Sequence, residues 1–61
     1  MGEKIKEIMK LKDVSQAELA KAAGVSEPFI SYVVEGKKMP SVPVLKRIAQ
    51  RLGVLMDELV V

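Results

Sequence analysis

Hydrophobic residues recur every three or four positions along most of this chain, which is the spacing of helices with one buried face. The pattern divides into five short segments, each bounded by a serine, a glycine, a proline or an aspartate. We therefore predict a compact all-α fold of five helices, at about residues 2–12, 16–23, 27–35, 42–52 and 56–60.

Helix start and stop signals are densest between residues 14 and 36. Ser15 and Glu18, three residues apart, form the pattern of a capping box in which each side chain bonds the other residue's backbone N–H. Gly24 and Gly36 stand where a helix commonly ends on a left-handed residue. The turn between the second and third helices is too tight for anything but a fixed crossing, so this stretch predicts a helix-turn-helix.

Composition narrows the class of protein. A chain of 61 residues predicts one domain, spanning residues 1–61, near the lower size limit for an unaided hydrophobic core. It has no cysteine and no histidine, so we expect neither a metal nor a cofactor, and a reducing, cytoplasmic location. No apolar run approaches the ~20 residues that span a bilayer, so we expect no membrane association.

Catalysis is not expected from this set of side chains. The serines have no histidine base, and three of the four are explained as helix caps. The carboxylates are scattered over different helices without metal-ligand spacing, and a domain this small rarely has a pocket in which a lysine acts as a base. We therefore expect neither an enzyme nor a small-molecule substrate.

Charge and hydrophobicity give different amounts of information. A net charge of +2 permits nucleic-acid binding but is ordinary for a protein. Hydrophobic residues make up 49% of the chain and aromatic residues only 3%, more aliphatic side chains than one small core can hold. Some of them should lie on a contact surface.

Several motifs resemble the lambda repressor-like, Cro-type family of helix-turn-helix domains, also called the XRE family. They are SQAELAKAAGVS from residue 15, the basic loop that ends in Pro40-Ser41, and LKRIAQRLGV from residue 45. The resemblance extends from Ile5 to Leu59, almost the whole chain. It implies a five-helix domain that binds double-stranded DNA and regulates transcription as a repressor or another regulator.

The resemblance also implies which residues meet DNA. In this motif the third helix lies in the major groove, and the start of the second helix faces a phosphate. Gln16 then lies on the phosphate side, and the lysine pair Lys37 and Lys38 meets the DNA backbone. The other expected contacts lie on or beside the third helix: Ser26, Glu27, Pro28, Phe29, Ser31 and Tyr32.

Subunit contacts are the last implication of the resemblance. The C-terminal helix region of this family often joins two subunits about a two-fold axis. The inward stripe of a short last helix has no room for all of Leu55, Val60 and Val61. We therefore expect these residues to join two subunits in a homodimer that binds a palindromic operator. Two alternatives stay open. The fold can serve as an antitoxin-like or adaptor-like protein-interaction module, or be the DNA-binding part of a longer repressor.

Overall fold

The computed structural model describes residues 1–60, which form five α-helices and no strand. None of these helices is long and apolar enough to cross a membrane. The predicted all-α fold is confirmed, and the third and fifth helices end one residue earlier than predicted. Glu35 is the C-cap of the third helix because the chain turns at the left-handed Gly36, and Val60, with a φ of −97° and a ψ of 21°, is no longer helical. The helices are α1 (Gly2–Lys12), α2 (Gln16–Ala23), α3 (Glu27–Val34), α4 (Val42–Leu52) and α5 (Met56–Leu59).

Three helices begin at a serine whose hydroxyl accepts a backbone hydrogen bond. Ser15 Oγ accepts from the Glu18 N–H at 3.0 Å, and Glu18 Oε1 accepts from the Ser15 N–H at 3.3 Å, which completes the predicted capping box. The Ser26 and Ser41 hydroxyls likewise accept from the backbone N–H three residues on and cap α3 and α4, without the reciprocal bond of a box. The starts of α2, α3 and α4 are therefore determined by local sequence.

The turn between α2 and α3 has only three residues. Gly24 has a φ of 72°, in the left-handed region that costs glycine no steric penalty. The Val25 N–H then donates to the Ala20 carbonyl at 3.0 Å, and Ser26 already caps the next helix. This turn fixes the crossing of α2 and α3, and the predicted helix-turn-helix is present.

The hydrophobic core receives side chains from all five helices. No polar or charged side chain is buried among residues 1–60, so every polar group of a side chain there is available at the surface or in a surface contact. Apolar burial is therefore the main source of stability. The largest fully buried side chains are Ile5, Leu19, Ile30, Ile48, Leu52 and Leu59.

Two arginine side chains of α4 contact the two ends of α2. Arg51 Nη2 lies 3.0 Å from Glu18 Oε2, and Arg47 Nη1 donates to the Ala23 carbonyl at 3.4 Å. These contacts join α4 to the first and last turns of α2. Because α2 carries α3 through the tight turn, α4 also supports the position of α3.

The start of α1 lies directly against the end of α3. A Cβ atom on Gly2 would lie 2.6 Å from the Val34 carbonyl oxygen and 2.7 Å from that of Val33, much closer than real Cβ contacts. Only glycine permits this approach without movement of one helix. The positive end of the α1 dipole thereby meets the negative end of the α3 dipole, which is a favourable arrangement.

Candidate nucleic-acid interface

The start of α2 and the outer face of α3 border one shallow groove of about 340 Å³. Gln16 lines it from α2, and Glu27, Pro28 and Ser31 line it from α3. The predicted phosphate-side residue and three of the residues predicted on the α3 side are therefore neighbours. The short turn at Gly24 causes this proximity, since it folds the start of α3 back toward the start of α2.

The first turn of α3 is poorly suited to bind an anion. Pro28 has no backbone N–H, and the Phe29 N–H already donates to Ser26 Oγ at 3.2 Å. The carboxylate of Glu27 adds a negative charge in the same turn. The Ser26 hydroxyl accepts one hydrogen bond as a cap, and its own hydrogen remains able to donate to a ligand.

An aromatic and lysine cluster lies farther along the outer face of α3. Lys38 Nζ lies 5.2 Å from the centre of the Tyr32 ring and 6.0 Å from the centre of the Phe29 ring. The Phe29 side chain is half-buried against the core, whereas the Tyr32 side chain is 42% exposed. Attraction between the ammonium and the ring faces holds the three side chains together.

A network of three polar side chains lies beside this cluster. Ser31 Oγ donates to Glu35 Oε2 at 3.2 Å, and Lys37 Nζ lies 3.3 Å from Glu35 Oε1. The hydrogen bonds from Lys37 and Ser31, together with the Lys37 charge, hold the pKa of the Glu35 carboxyl below its ordinary value. All three groups are accessible to solvent, so the Lys37–Glu35 pair is weak and can exchange partners.

Sequence reasoning did not include Glu35 in this surface. Glu35 follows Ser31 by four residues, and residues at this spacing are neighbours on a helix face. This spacing alone could have placed Glu35 beside the predicted contact residues. The surface therefore carries the carboxylates of Glu27 and Glu35 as well as the ammonium groups of Lys37 and Lys38. The opposite charges of these four groups balance.

The predicted subunit contacts are accessible where the structure describes them. The Leu55 side chain is 71% exposed and the Val60 side chain 54% exposed, while Val61 lies outside the described residues. Sequence reasoning missed Leu11, which is 84% exposed. It borders an open groove of about 450 Å³ between α1 and α5, with Val54 on the other side.

No group of three or more acidic, histidine or cysteine side chains in the described part of the chain is placed to hold a metal ion. The open grooves over α1 and α3 are shallow, and their linings are surface side chains. These grooves are therefore open surfaces and not enclosed cavities.

Proteins of known sequence resemble this chain. A family model described as helix-turn-helix matches residues 5–59. The chain is 41% identical over 49 residues to the ImmF control region 10 kDa protein of Bacillus phage phi105. The aligned part covers 80% of this chain and 54% of that protein. It is 33% identical over 58 residues to the uncharacterized HTH-type transcriptional regulator YazB of Bacillus subtilis strain 168, covering 95% of this chain and 84% of that protein. The chain thus spans about half the length of the phage protein.

A solved structure has the same fold. The restriction-modification controller protein C.AhdI from Aeromonas hydrophila superposes with a TM-score of 0.89 at 26% sequence identity, over 95% of this chain and 88% of that chain. The family match, the sequence relatives and this fold agree with the motifs in the sequence. The chain belongs to the XRE, or lambda repressor-like, family of helix-turn-helix DNA-binding domains.

Proposed function

We propose that this helix-turn-helix regulator recognises specific DNA sites by inserting α3 into the major groove, with residues 1–61 acting as one domain in the cytoplasm. The observation that carries the proposal is the shared groove of α2 and α3, where Gln16 lies beside Glu27, Pro28 and Ser31. In this motif the second helix reads base edges while the start of the first helix faces the DNA backbone.

The base-facing residues are an unusual set for this role. Glu27 accepts a hydrogen bond from the cytosine amino group and repels phosphates, so it favours cytosine over other bases. Pro28 and Phe29 offer apolar contact to a thymine methyl group. Tyr32 is exposed and its hydroxyl both donates and accepts, while Ser31 lines the groove beside Glu27 and Pro28. Together they support recognition of a cytosine- and thymine-containing strand.

Phosphate contacts come from both sides of α3. The first backbone N–H groups of α2 have no helical partner, and the Gln16 amide adds a donor beside them. The Ser26 hydroxyl, Lys37 and Lys38 supply further donors at the start and after the end of α3. Lysines that neutralise phosphates release counterions, so this part of the binding weakens as salt rises.

Dimerisation through the C-terminal region completes the proposal. Leu55 and Val60 are exposed aliphatic side chains, and Val61 follows them in the sequence. A two-fold contact through these three residues presents two copies of α3 on one side of the duplex. Recognition helices held about 34 Å apart reach successive major grooves and so require a palindromic operator.

Chemical-shift mapping tests where DNA binds. Amide spectra are recorded with and without a random-sequence duplex at low salt, and shifts are expected at Gln16 and across residues 26–38. Helix α1 is an internal control because it carries four lysines, Lys4, Lys6, Lys10 and Lys12, and is the competing basic surface. Shifts confined to α1 would contradict the proposed site.

A protein-interaction role is the second candidate. It is favoured by the balanced charges of Glu27, Glu35, Lys37 and Lys38 on the α3 surface, since most DNA-binding surfaces have a positive excess. In that case the duplex leaves every amide of residues 26–38 unchanged at low salt.

A further inference from the structure

We propose that Lys38 is a positioning residue for sequence recognition, because its ammonium holds the Tyr32 ring in the orientation that meets the bases. Lys37, its neighbour in sequence, supplies only charge to the DNA contact. This inference rests on the proposed function and divides the predicted lysine pair into two roles.

The backbone places Lys38 over α3 before any side-chain contact is made. Gly36 has a φ of 77° and reverses the chain direction after α3. The N–H groups of Lys37 and Lys38 then both donate to the Tyr32 carbonyl, at 2.8 and 3.3 Å. Lys38 therefore starts from a fixed position beside the aromatic residues, and its side chain needs little additional ordering to cover them.

The two lysines have different environments. The Lys37 ammonium lies 3.3 Å from a carboxylate oxygen of Glu35, whereas the Lys38 ammonium lies 5.2 Å from the centre of the Tyr32 ring. An ammonium over a ring face keeps N–H donors directed away from the ring, since it has three donors and no acceptor. Lys38 can therefore donate to a phosphate while it stays on Tyr32.

Such a contact connects backbone binding to base recognition. The Tyr32 side chain is exposed, and an exposed ring must lose rotamer freedom when it meets a base edge. Lys38, whose ammonium lies over both the Tyr32 and the Phe29 rings, supplies that order in the free protein. A phosphate that holds Lys38 then keeps Tyr32 in register with the adjacent base.

The first test uses the free protein. The Lys38 side-chain ε-methylene protons should resonate upfield of those of Lys37, because ring currents act on protons above an aromatic face. Tyr32→Leu should remove most of that difference, and circular dichroism of the variant checks that its helices are intact. Equal shifts for the two lysines in the wild type would overturn the proposed contact. Tyr32 is the only tyrosine and tryptophan is absent, so the fluorescence of the free protein reports on the surroundings of the Tyr32 ring alone.

The second test measures affinity for a selected site and for a random duplex. Lys38→Gln should lower the ratio of the two affinities about two- to fivefold, the size of a solvent-exposed cation–ring contact. Lys38→Arg should restore the ratio because arginine also stacks on rings. Lys37→Gln is the matched control and should weaken both affinities equally.

The outcomes separate this inference from the proposed function. An unchanged ratio in Lys38→Gln, with both affinities reduced, would make Lys38 a simple phosphate contact and leave DNA recognition intact. Wild-type protein that binds neither duplex would refute the proposed function, and the role of Lys38 in recognition would be refuted with it. The proton shifts would still report whether the ammonium lies on Tyr32.

Discussion

At the scale of single residues, the carboxylates on the α3 surface matter as much as the lysines. The Glu35 carboxylate accepts a hydrogen bond from the Ser31 hydroxyl and forms a salt bridge with Lys37. Both of these partners are predicted to meet DNA. A phosphate that contacts Lys37 therefore competes with the Glu35 carboxylate for that ammonium. Such competition lowers the affinity for DNA of any sequence, and it thereby raises the share of binding that depends on the bases.

Replacing Glu35 should therefore strengthen nonspecific binding. We expect Glu35→Gln to raise affinity for a random duplex about two- to tenfold, because it frees Lys37 and removes a repulsive charge near the backbone. Fluorescence anisotropy at two salt concentrations measures the effect. Asp57→Asn makes the same change in net charge on α5, a helix that does not pack against α3, and an equal gain there would show that only net charge matters.

At the scale of helices, close packing between α1 and α3 places the recognition surface. The approach at Gly2 leaves no room for a Cβ atom beside the Val33 and Val34 carbonyl oxygens. Any enlargement there must separate the two helices. The end of α3 and the loop that carries Lys37 and Lys38 would move with that separation.

Gly2→Ala should therefore destabilise the fold, although alanine is the better helix former. We expect a loss of about 1 to 3 kcal/mol in the free energy of unfolding, the usual effect of overpacking. Urea denaturation followed by circular dichroism measures it. Glu3→Ala is the control, since it alters an exposed residue in the same turn; unchanged stability in Gly2→Ala would mean that α1 does not contact α3 as described.

The capping box of α2 predicts a dependence of stability on pH. The Ser15 backbone N–H, then the Ser15 hydroxyl and Arg51, lower the pKa of the Glu18 carboxyl in the folded protein. The stabilisation is therefore complete above the pKa of an unfolded glutamate, about 4.3, and is lost as the pH falls through the lowered folded value.

Glu18→Gln tests this dependence directly. The variant should be less stable than the wild type at pH 7, and the difference should shrink steadily as the pH falls below about 4. Urea denaturation across this range measures both proteins. A difference in stability that stays constant with pH would show that the charge of Glu18 has no part in holding α2.

The helices could be predicted from sequence better than the contacts between them. Ser15, Ser26 and Ser41 act within one turn of their own positions, so local pattern is sufficient to place the helix starts. The approach at Gly2 depends on residues far along the chain, and no local signal marks it. The position of Lys38 likewise depends on how the turn at Gly36 directs the following residues.

At the scale of the whole molecule, the apolar surface outside the core is the feature that the DNA site does not use. Leu55 and Val60 are exposed near one end of the chain, and Leu11 is exposed beside the groove between α1 and α5. A domain of this size rarely exposes several large aliphatic side chains without a partner. The proposed two-fold dimer would cover the first two.

Sedimentation tests the dimer at micromolar concentration. We expect a wild-type dimer and a monomeric Leu55→Ser, Val60→Lys double variant, because the substitutions place polar groups in the proposed contact. The matched control is Met39→Ser, Val42→Lys, which changes two other exposed apolar residues in the same way and should remain dimeric. A wild type that stays monomeric both free and on palindromic DNA would contradict the proposal.

Selection of bound sequences from a random DNA pool tests the central claim, that α3 reads specific sites. We predict enrichment of a palindromic sequence whose half-sites lie about 10 base pairs apart from centre to centre, the spacing of two recognition helices on one face of the duplex. Each half-site should contain cytosine opposite Glu27, and the Tyr32→Ala variant should lose enrichment at the neighbouring positions. Absence of any enrichment at low salt would contradict sequence-specific recognition and favour a protein partner for the α3 surface.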